Sequence, residues 1–162
     1  MSNDRIEKQI LIHAPLSRVW RALSSSKEFG AWFGCHFDEA FKAGAVVHGR
    51  IVGTQVNEEV AKAQREHANL PVEITIERIE PERIFSFRWH PHATDPKRDY
   101  SAEPTTLIEF VLKEIPEGVL LTVTESGFDK IPLDRRVQAF TANDGGWAIV
   151  ITLIEAYLKN EN

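Results

Sequence analysis

Cysteine is almost absent from the 162-residue sequence, since Cys35 is the single one. One cysteine cannot form an intrachain disulfide, which excludes a small secreted scaffold held together by disulfides. No apolar run approaches the roughly 20 residues that a membrane-spanning helix requires. The N-terminal residues also lack the apolar core of a signal peptide. We therefore expect a cytoplasmic protein that does not insert into membranes.

Negative charge exceeds positive charge. Lys and Arg total 19 against 24 Asp and Glu, which gives a formal net charge of −5. The basic residues are scattered along the chain, whereas phosphate binding requires them in clusters. We expect no nucleic-acid partner. A composition of 43% hydrophobic and 27% charged residues is that of an ordinary globular protein, and the length suits a single domain over residues 1–162.

The first third of the sequence contains strand and helix patterns in turn. β-Branched residues near the N-terminus indicate a strand. Pro15 ends it, because proline cannot donate to a β-ladder but suits the first position of a helix. The predicted elements are a strand over 5–13, amphipathic helices over 15–24 and 26–32, and strands over 35–41 and 45–52.

The middle of the sequence alternates between strands and polar connections. Residues 53–70 are rich in Glu, Gln, Lys and Asn, and 58–68 has high helix propensity but little apolar face. We predict an exposed insertion there, helical over 58–68. Residues 90–104 form a polar loop with three prolines. Period-two alternation predicts the remaining strands, over 72–77, 85–89, 106–112 and 119–126.

The last 30 residues predict a helix about seven turns long, because apolar residues recur there at steps of three and four. The expected core-facing stripe comprises Val137, Phe140, Asp144, Trp147, Ile151, Ile154 and Leu158. Gly145 and Gly146 interrupt this helix at a cost of about 1 kcal/mol each relative to Ala. We expect the pair to allow a close approach of the backbone to the sheet or to a ligand.

The order of elements indicates an α+β protein. Its strands are grouped together and its helices lie towards the two ends, which differs from alternating βαβ units. An antiparallel sheet with one apolar face must bury that face. The long terminal helix is the only predicted element large enough to cover it.

Four stretches resemble the activator of heat-shock-protein-90 ATPase homologue-like family of the START/pollen-allergen superfamily (SRPBCC, polyketide cyclase-like). The resemblance extends over roughly residues 5–160. The matching stretches are APLSRVWRALSSSKEFGAWF (14–33), VEITIERIEPERIFSFRW (72–89), LLTVTESGF (120–128) and GGWAIVITLIEAYL (145–158).

The resemblance implies a helix-grip fold, in which a curved antiparallel sheet of six or seven strands surrounds the C-terminal helix. Two short helices after the first strand close one end. It also implies a cavity between sheet and helix, which the superfamily uses for lipids, sterols, polyketides or hormones. The sequence departs from the family in its longer 53–70 segment, and in Glu125, where many members carry His.

The candidate cavity residues are mostly aromatic. They are Trp32, Phe33, Phe37, Trp89, Phe110, Phe140, Asp144, Trp147 and Ile151. Each apolar one could instead belong to a plain hydrophobic core. Asp144 is the polar member, and a buried carboxylate must be paired or shift its pKa. Asp144 could anchor a ligand or form a structural ion pair. Its candidate partners are His48, Arg50, Arg88 and His90. Arg88 and His90 alternate with Trp89, however, so both should face away from Trp89 and from the cavity.

No catalytic or metal motif is present. HExxH, CxxC, GxSxG and phosphate-binding glycine loops are all missing, and His90 and His92 are the only closely spaced histidines. We expect no metal and no cofactor. Cys35 has only His36 nearby, which points to the opposite face of a strand.

Three functions are compatible with these residues. The first is binding of a small hydrophobic or aromatic ligand, such as a lipid or a polyketide, in the cavity between sheet and helix. The second is a cyclase- or hydrolase-type enzyme acting there, with Asp144 or His48 as acid or base. The third is an interaction protein that regulates a chaperone ATPase, which an exposed apolar surface would favour.

Overall fold

A computed structural model describes residues 4–159 of the chain. Seven strands and four helices follow one another, with short 3-10 turns at Arg65–His67 and Phe128–Lys130. The strands are β1 (Arg5–Ile12), β2 (Cys35–Phe37), β3 (Val46–Ile51), β4 (Pro71–Glu80), β5 (Ile84–Trp89), β6 (Thr106–Ile115) and β7 (Gly118–Ser126). The helices are α1 (Leu16–Ser24), α2 (Ser26–Phe33), α3 (Glu58–Gln64) and α4 (Leu133–Lys159).

The seven strands form one antiparallel sheet in the order β1-β7-β6-β5-β4-β3-β2. Every neighbouring pair is antiparallel, with a bulge in β4 between Ile76 and Arg78. The long helix α4 packs against β1 and against the two short helices α1 and α2. This arrangement confirms the α+β class and the curved helix-grip sheet with two short helices after the first strand.

The core lies on one face of this sheet. The alternation predicted for β6 is observed, since Thr106, Ile108, Phe110 and Leu112 are all buried. Phe29 of α2 packs into the concave side, with its ring centroid 5.9 Å from those of Phe85 and Phe110. Aromatic rings therefore fill the region where α2 meets the middle of the sheet.

The strand predicted over 35–41 is shorter than expected. β2 contains only Cys35–Phe37, and residues 38–45 form bends and a turn before β3. Asp38 still donates its backbone N–H to the carbonyl of His48. Phe41 beyond the strand is buried against Phe85, at a centroid distance of 5.2 Å. Residues 38–41 therefore resemble a strand in the sequence because Phe41 packs in the core, although they do not pair with a neighbouring strand as β2 does.

The stripe predicted for α4 is correct in its second half and only partly correct in its first, where Phe140 packs against the core. Trp147, Ile151, Ile154 and Leu158 are buried, whereas Val137 is 73% exposed and Arg135 and Ala139 are buried instead. The predicted stripe repeats every 3.5 residues, and a straight helix drifts by about 20° per heptad from that repeat. Three heptads rotate the predicted face by about 60°, which carries its N-terminal end away from the core.

The glycine pair of α4 does not allow a close approach of the kind expected. A Cβ atom added to Gly145 or Gly146 would meet nothing within 4 Å. Open space therefore adjoins the helix at both positions, and steric exclusion does not explain why these residues are glycine.

The 53–70 segment is partly helical, as predicted, although its helix is shorter. α3 ends at Gln64 and continues as the 3-10 turn Arg65–His67. Asn57 caps α3, since its Oδ1 accepts the Val60 N–H at 3.1 Å. Most of the segment is exposed, but Ala61 is buried. Across residues 4–159, no helix combines the length and apolar character that crossing a membrane requires.

Candidate functional site

A cavity of about 660 Å³ lies between the sheet, α4 and the two polar connections. Its inner wall comes from Phe33 at the end of α2, Trp89 at the end of β5, and Asn143 and Val150 of α4. The 53–70 segment contributes Gln64, His67 and Leu70, and residues 90–101 form the opposite side. His48 of β3 and Glu73 of β4 also line it, and both are exposed, so the cavity opens to solvent there.

Three aromatic rings form the inner wall and its backing. The ring centroids of Phe33 and Trp89 are 6.0 Å apart. Trp147 lies behind them, with centroids 6.0 Å from Phe33 and 5.9 Å from Trp89. The two indoles are nearly parallel, at an interplanar angle of 30°. Such a wall offers a flat apolar surface on which a planar or aliphatic group can pack.

Glu125 holds both indoles in place. It lies on the inward face of β7, after Leu121 and Val123, and is fully buried. Its Oε2 accepts the Trp89 indole N–H at 2.8 Å and the Thr106 hydroxyl at 2.6 Å.

The other oxygen of Glu125 binds α4. Oε1 accepts the Asn143 amide at 2.9 Å and the Trp147 indole N–H at 2.8 Å. Four donors thus occupy the two oxygens of one carboxylate, and none of them belongs to a charged residue. A buried carboxylate is costly unless it is fully hydrogen-bonded, so this arrangement stabilises a single geometry for Trp89, Asn143 and Trp147.

Two arginines anchor the loop over residues 90–104. Arg135, buried at the start of α4, donates to Glu103 Oε1 at 2.7 Å and to the Pro91 carbonyl at 2.7 Å. Arg98 donates to Glu103 Oε2 at 2.9 Å. The Tyr100 ring lies beneath the Arg135 guanidinium, 4.8 Å from its centroid. The loop is therefore a fixed wall of the cavity, although it contains no regular secondary structure over residues 90–104.

The two arginines determine the charge state of Glu103. Burial by itself would raise the pKa of this carboxyl, but hydrogen bonds from Arg135 and then Arg98 outweigh it and hold the pKa below its usual value. Glu103 therefore stays ionised between two positive charges, which is the form that both guanidinium groups require.

Gln64 fixes the opposite side of the cavity. Its Nε2 donates to the Phe33 carbonyl at 2.9 Å, and its Oε1 accepts the Thr54 N–H at 2.7 Å. The first bond joins the 53–70 segment to the end of α2, and the second joins two parts of the segment itself. The segment, predicted as an exposed insertion, thus supplies a wall of the cavity as well.

Cys35 lines the cavity but is unsuited to nucleophilic chemistry. The thiol is buried, and burial raises its pKa to about 12. The thiolate is the reactive form of cysteine, so Cys35 acts as a small apolar residue here. Among residues 4–159, no group of three or more His, Cys, Asp or Glu side chains could hold a metal ion.

The structure brings only part of the predicted set into the cavity wall. Phe33 and Trp89 line it directly. Behind them, the predicted residues that pack in the hydrophobic core are Trp32, Phe37, Phe110, Trp147 and Ile151. The indole N–H of Trp32 donates to the Ala22 carbonyl at 2.9 Å, which places it between α1 and α2.

Phe140 and Asp144 lie elsewhere. Phe140 packs on Phe128, at a centroid distance of 5.1 Å, away from the cavity. Asp144 pairs with Lys8 of β1 at 3.0 Å, and its side chain is 48% exposed. The expected inward orientation of Asp144 is therefore wrong, and its partner is Lys8 instead of any of the four residues proposed from the sequence. The cavity-facing residues of α4 are Asn143 and Val150. Successive helical positions differ by about 100°, so the neighbouring Asp144 faces elsewhere.

His90 also differs from its expected place. It was predicted to face away from Trp89, but β5 ends at Trp89, so strand alternation does not extend to the next residue. His90 lines the cavity. Arg88, still within the strand, faces outward and donates to Glu77 at 3.0 Å.

Sequence reasoning missed Glu125, Asn143 and Arg135 as site residues. Period-two alternation after Leu121 and Val123 already places Glu125 on the core face, and that was the available signal. A single Asn and a single Arg in a helix provide none. Their roles come from contacts with β7 and with the 90–104 loop, which are distant in the sequence.

Comparison with known proteins supplies the family. A model of the Activator of Hsp90 ATPase homolog 1-like protein family matches residues 13–159. No curated protein matches the sequence.

Several solved structures share the fold at low sequence identity. Protein MLL2253 from Mesorhizobium loti is similar at a TM-score of 0.70 and 20% identity, over 98% of each chain. The Aha1 dimer from Colwellia psychrerythraea gives a TM-score of 0.64 at 14% identity, over 93% of this chain and 92% of that one.

DynU16, a protein in the dynemicin biosynthetic locus, gives a TM-score of 0.66 at 19% identity; the match includes 96% of this chain but 47% of DynU16. The family match extends over most of the chain and agrees with the observed sheet and terminal helix. The protein belongs to the Activator of Hsp90 ATPase homolog 1-like family.

Proposed function

We propose that the protein binds a small, largely apolar ligand in the cavity between the sheet and α4. The observation that carries this proposal is an open volume of about 660 Å³ beside the aromatic wall of Phe33 and Trp89. Small-molecule sites usually measure about 300–1,000 Å³ and combine apolar walls with a few fixed polar groups. Buried apolar surface would provide most of the binding free energy, at about 25 cal/mol per Å².

The walls are held in place without a ligand. Glu125 fixes Trp89 through a 2.8 Å hydrogen bond. Gln64 and Arg135 fix the two polar sides of the cavity. A cavity whose walls are already ordered loses less entropy when a ligand binds, which favours a binding role over an accidental packing defect.

Gly146 offers a direct way to test the cavity. Asn143 and Val150 line the cavity, and Gly146 lies three residues after the first and four before the second. It therefore shares their helix face. A Cβ atom there meets nothing within 4 Å, so a larger side chain at this position should enter the cavity.

The test compares Gly146→Leu with Gly145→Leu, which adds the same side chain to the exposed neighbouring position. Both variants should unfold at a higher temperature than the wild type, since each replaces a helical glycine at a gain of up to about 1 kcal/mol. Binding of naphthalene-2-carboxamide is measured by calorimetry, and copurified ligands by native mass spectrometry. We expect Gly146→Leu alone to lose binding.

Equal binding by the two variants would place the ligand outside this cavity. If neither probe nor copurified ligand binds the wild type, the proposal fails.

A reaction in the same cavity is the second candidate. His90 and His92 lie in its wall, and imidazole is the side chain that most often transfers protons near neutral pH. Asp144 and His48, the acids or bases considered from the sequence, do not favour this candidate, because they pair with Lys8 and Glu73 respectively. Mass spectrometry of a copurified ligand before and after incubation distinguishes binding from turnover.

A further inference from the structure

Four of the six histidines in the sequence line the cavity. His48 comes from β3 and His67 from the end of the 53–70 segment, while His90 and His92 begin the 90–104 loop. These residues come from three separate parts of the chain. Their convergence on one cavity is the most distinctive chemical feature of the site.

His48 already has partners. Its Nε2 lies 3.1 Å from Glu73 Oε1 and its Nδ1 lies 3.5 Å from Glu39 Oε1. Within residues 4–159, no hydrogen bond joins the imidazole of His67 or His92 to another residue, and the Nδ1 of His90 is buried without a partner. His90 packs near the Tyr100 ring, at a centroid distance of 6.5 Å, so His67 and His92 are the imidazoles most available to a ligand.

The other charged groups of the wall are engaged. Glu73 pairs with His48, and Asp95 accepts the backbone N–H of Lys97 at 2.9 Å. Arg98 binds Glu103 and Asp134. The described part of the chain therefore shows no carboxylate paired with His67 or His92.

The surroundings of His92 are positive. Burial, followed by the positive charges of Arg135 and His67, lowers the pKa of His92 below its ordinary value. His67 and His92 come from opposite sides of the same cavity, so a ligand in the cavity can contact both. An anionic group placed between the two imidazoles could accept a hydrogen bond from each.

We propose that the ligand carries an acidic group, such as a carboxylate, that binds between His67 and His92 while its apolar body packs on Phe33 and Trp89. This inference rests on the proposed function and adds the ligand's chemical class to it. Charge-assisted hydrogen bonds from imidazolium groups would orient the acid.

The experiment compares naphthalene-2-carboxylate with naphthalene-2-carboxamide, which have the same ring system and differ in charge. Calorimetry on the whole chain gives both affinities. We expect the carboxylate to bind at least about tenfold more tightly at about pH 5. The preference should shrink as the pH rises, because the pKa of His92 lies below its ordinary value and only the protonated imidazole is positively charged.

Substitutions locate the preference. His67→Gln retains a hydrogen-bonding side chain without the charge. His92→Asn suits the positive φ of 50° at this position, which asparagine tolerates better than most residues. Each should weaken binding of the acid more than binding of the amide. His36→Gln is the matched control, since His36 points outward from β2 and lies outside the cavity.

The outcomes separate the two proposals. Equal affinities of the wild type for acid and amide would overturn the acidic-ligand inference while leaving the proposed function standing. Binding of neither probe would overturn both. A preference for the acid that survives in both histidine variants would place the anion elsewhere and would also overturn the inference.

Discussion

The indole N–H of Trp147 donates to Glu125 Oε1 at 2.8 Å, which links the middle of α4 to the inward face of β7. Trp89 makes the equivalent bond to the other oxygen of the same carboxylate at 2.8 Å. One side chain thus holds the cavity-lining indole and the indole behind it. The aromatic wall depends on a buried charge as well as on apolar packing.

Glu125→Gln should destabilise the protein although it keeps the shape of the side chain. An amide nitrogen cannot accept a hydrogen bond, so it would face either two donors from α4 or the Trp89 indole and Thr106. Thr106 could turn to accept, but the Trp89 indole would lose its partner. We expect a loss of about 1–3 kcal/mol in the free energy of unfolding, measured by denaturant titration.

Glu77→Gln is the control for that substitution. Glu77 pairs with Arg88 on the outer face of the sheet, and both side chains are 41% exposed. Exposed pairs contribute only about 0–1 kcal/mol. A Glu125→Gln variant as stable as Glu77→Gln would contradict the structural role assigned to Glu125.

Glu103 should make the stability of the 90–104 loop depend on pH. Its pKa is lower in the folded protein than its ordinary value of 4.5, so its contribution is present above that value and is lost as the pH falls through the folded-state pKa. The Glu103→Gln variant lacks this contribution. We expect the melting-temperature difference between wild type and variant to be positive near neutral pH and to shrink below about pH 4.5.

Glu114→Gln provides the comparison for this pH profile, because Glu114 is exposed near the end of β6. Its melting temperature should follow that of the wild type across the same pH range. A difference between wild type and Glu103→Gln that stays constant down to about pH 3 would argue against the ion pairs with Arg98 and Arg135.

Cys35 should react slowly with thiol reagents in the folded protein. Its pKa of about 12 leaves almost no thiolate at neutral pH. We expect modification by 5,5′-dithiobis(2-nitrobenzoate) to become fast only after unfolding in guanidinium chloride, as followed by absorbance. Rapid reaction of the native protein would mean that the thiol is accessible through the cavity and less desolvated than its burial indicates.

Asp144→Asn should have little effect on stability. The ion pair with Lys8 is partly exposed, with the two side chains 48% and 27% accessible, and solvent screens such pairs to roughly 0–1 kcal/mol. Probe binding should remain that of the wild type, because Asp144 does not line the cavity. A loss of binding would restore the anchoring role first considered for this residue.

The fold was largely predictable because its strands alternate strongly. Phe85 and Phe87, or Ile108 and Phe110, mark an inward face that a register slip would expose. The C-terminal half of α4 was equally clear. Its N-terminal half was not, because a repeat of 3.5 residues and a helix of 3.6 residues per turn diverge over several turns.

The site was less predictable because its polar contacts join distant segments. Glu125 could have been placed by alternation, but a lone carboxylate gives no information about which donors surround it. The 90–104 loop folds onto Arg135, more than 30 residues further along the chain. Helix propensity and hydrophobic periodicity depend on residues that are close in the sequence. Neither can predict a contact between distant residues such as Arg135 and Pro91.

Two of the attachments of the cavity to α4 lie on one short stretch of helix. Arg135 holds the Pro91 carbonyl, and Asn143 holds Glu125; about 12 Å of helix, just over two turns, separates them. No glycine or proline interrupts this stretch. A tilt of α4 should therefore act on the 90–104 loop, through Arg135, and on Glu125 of β7, through Asn143, at the same time. Both sides of the cavity would then shift together.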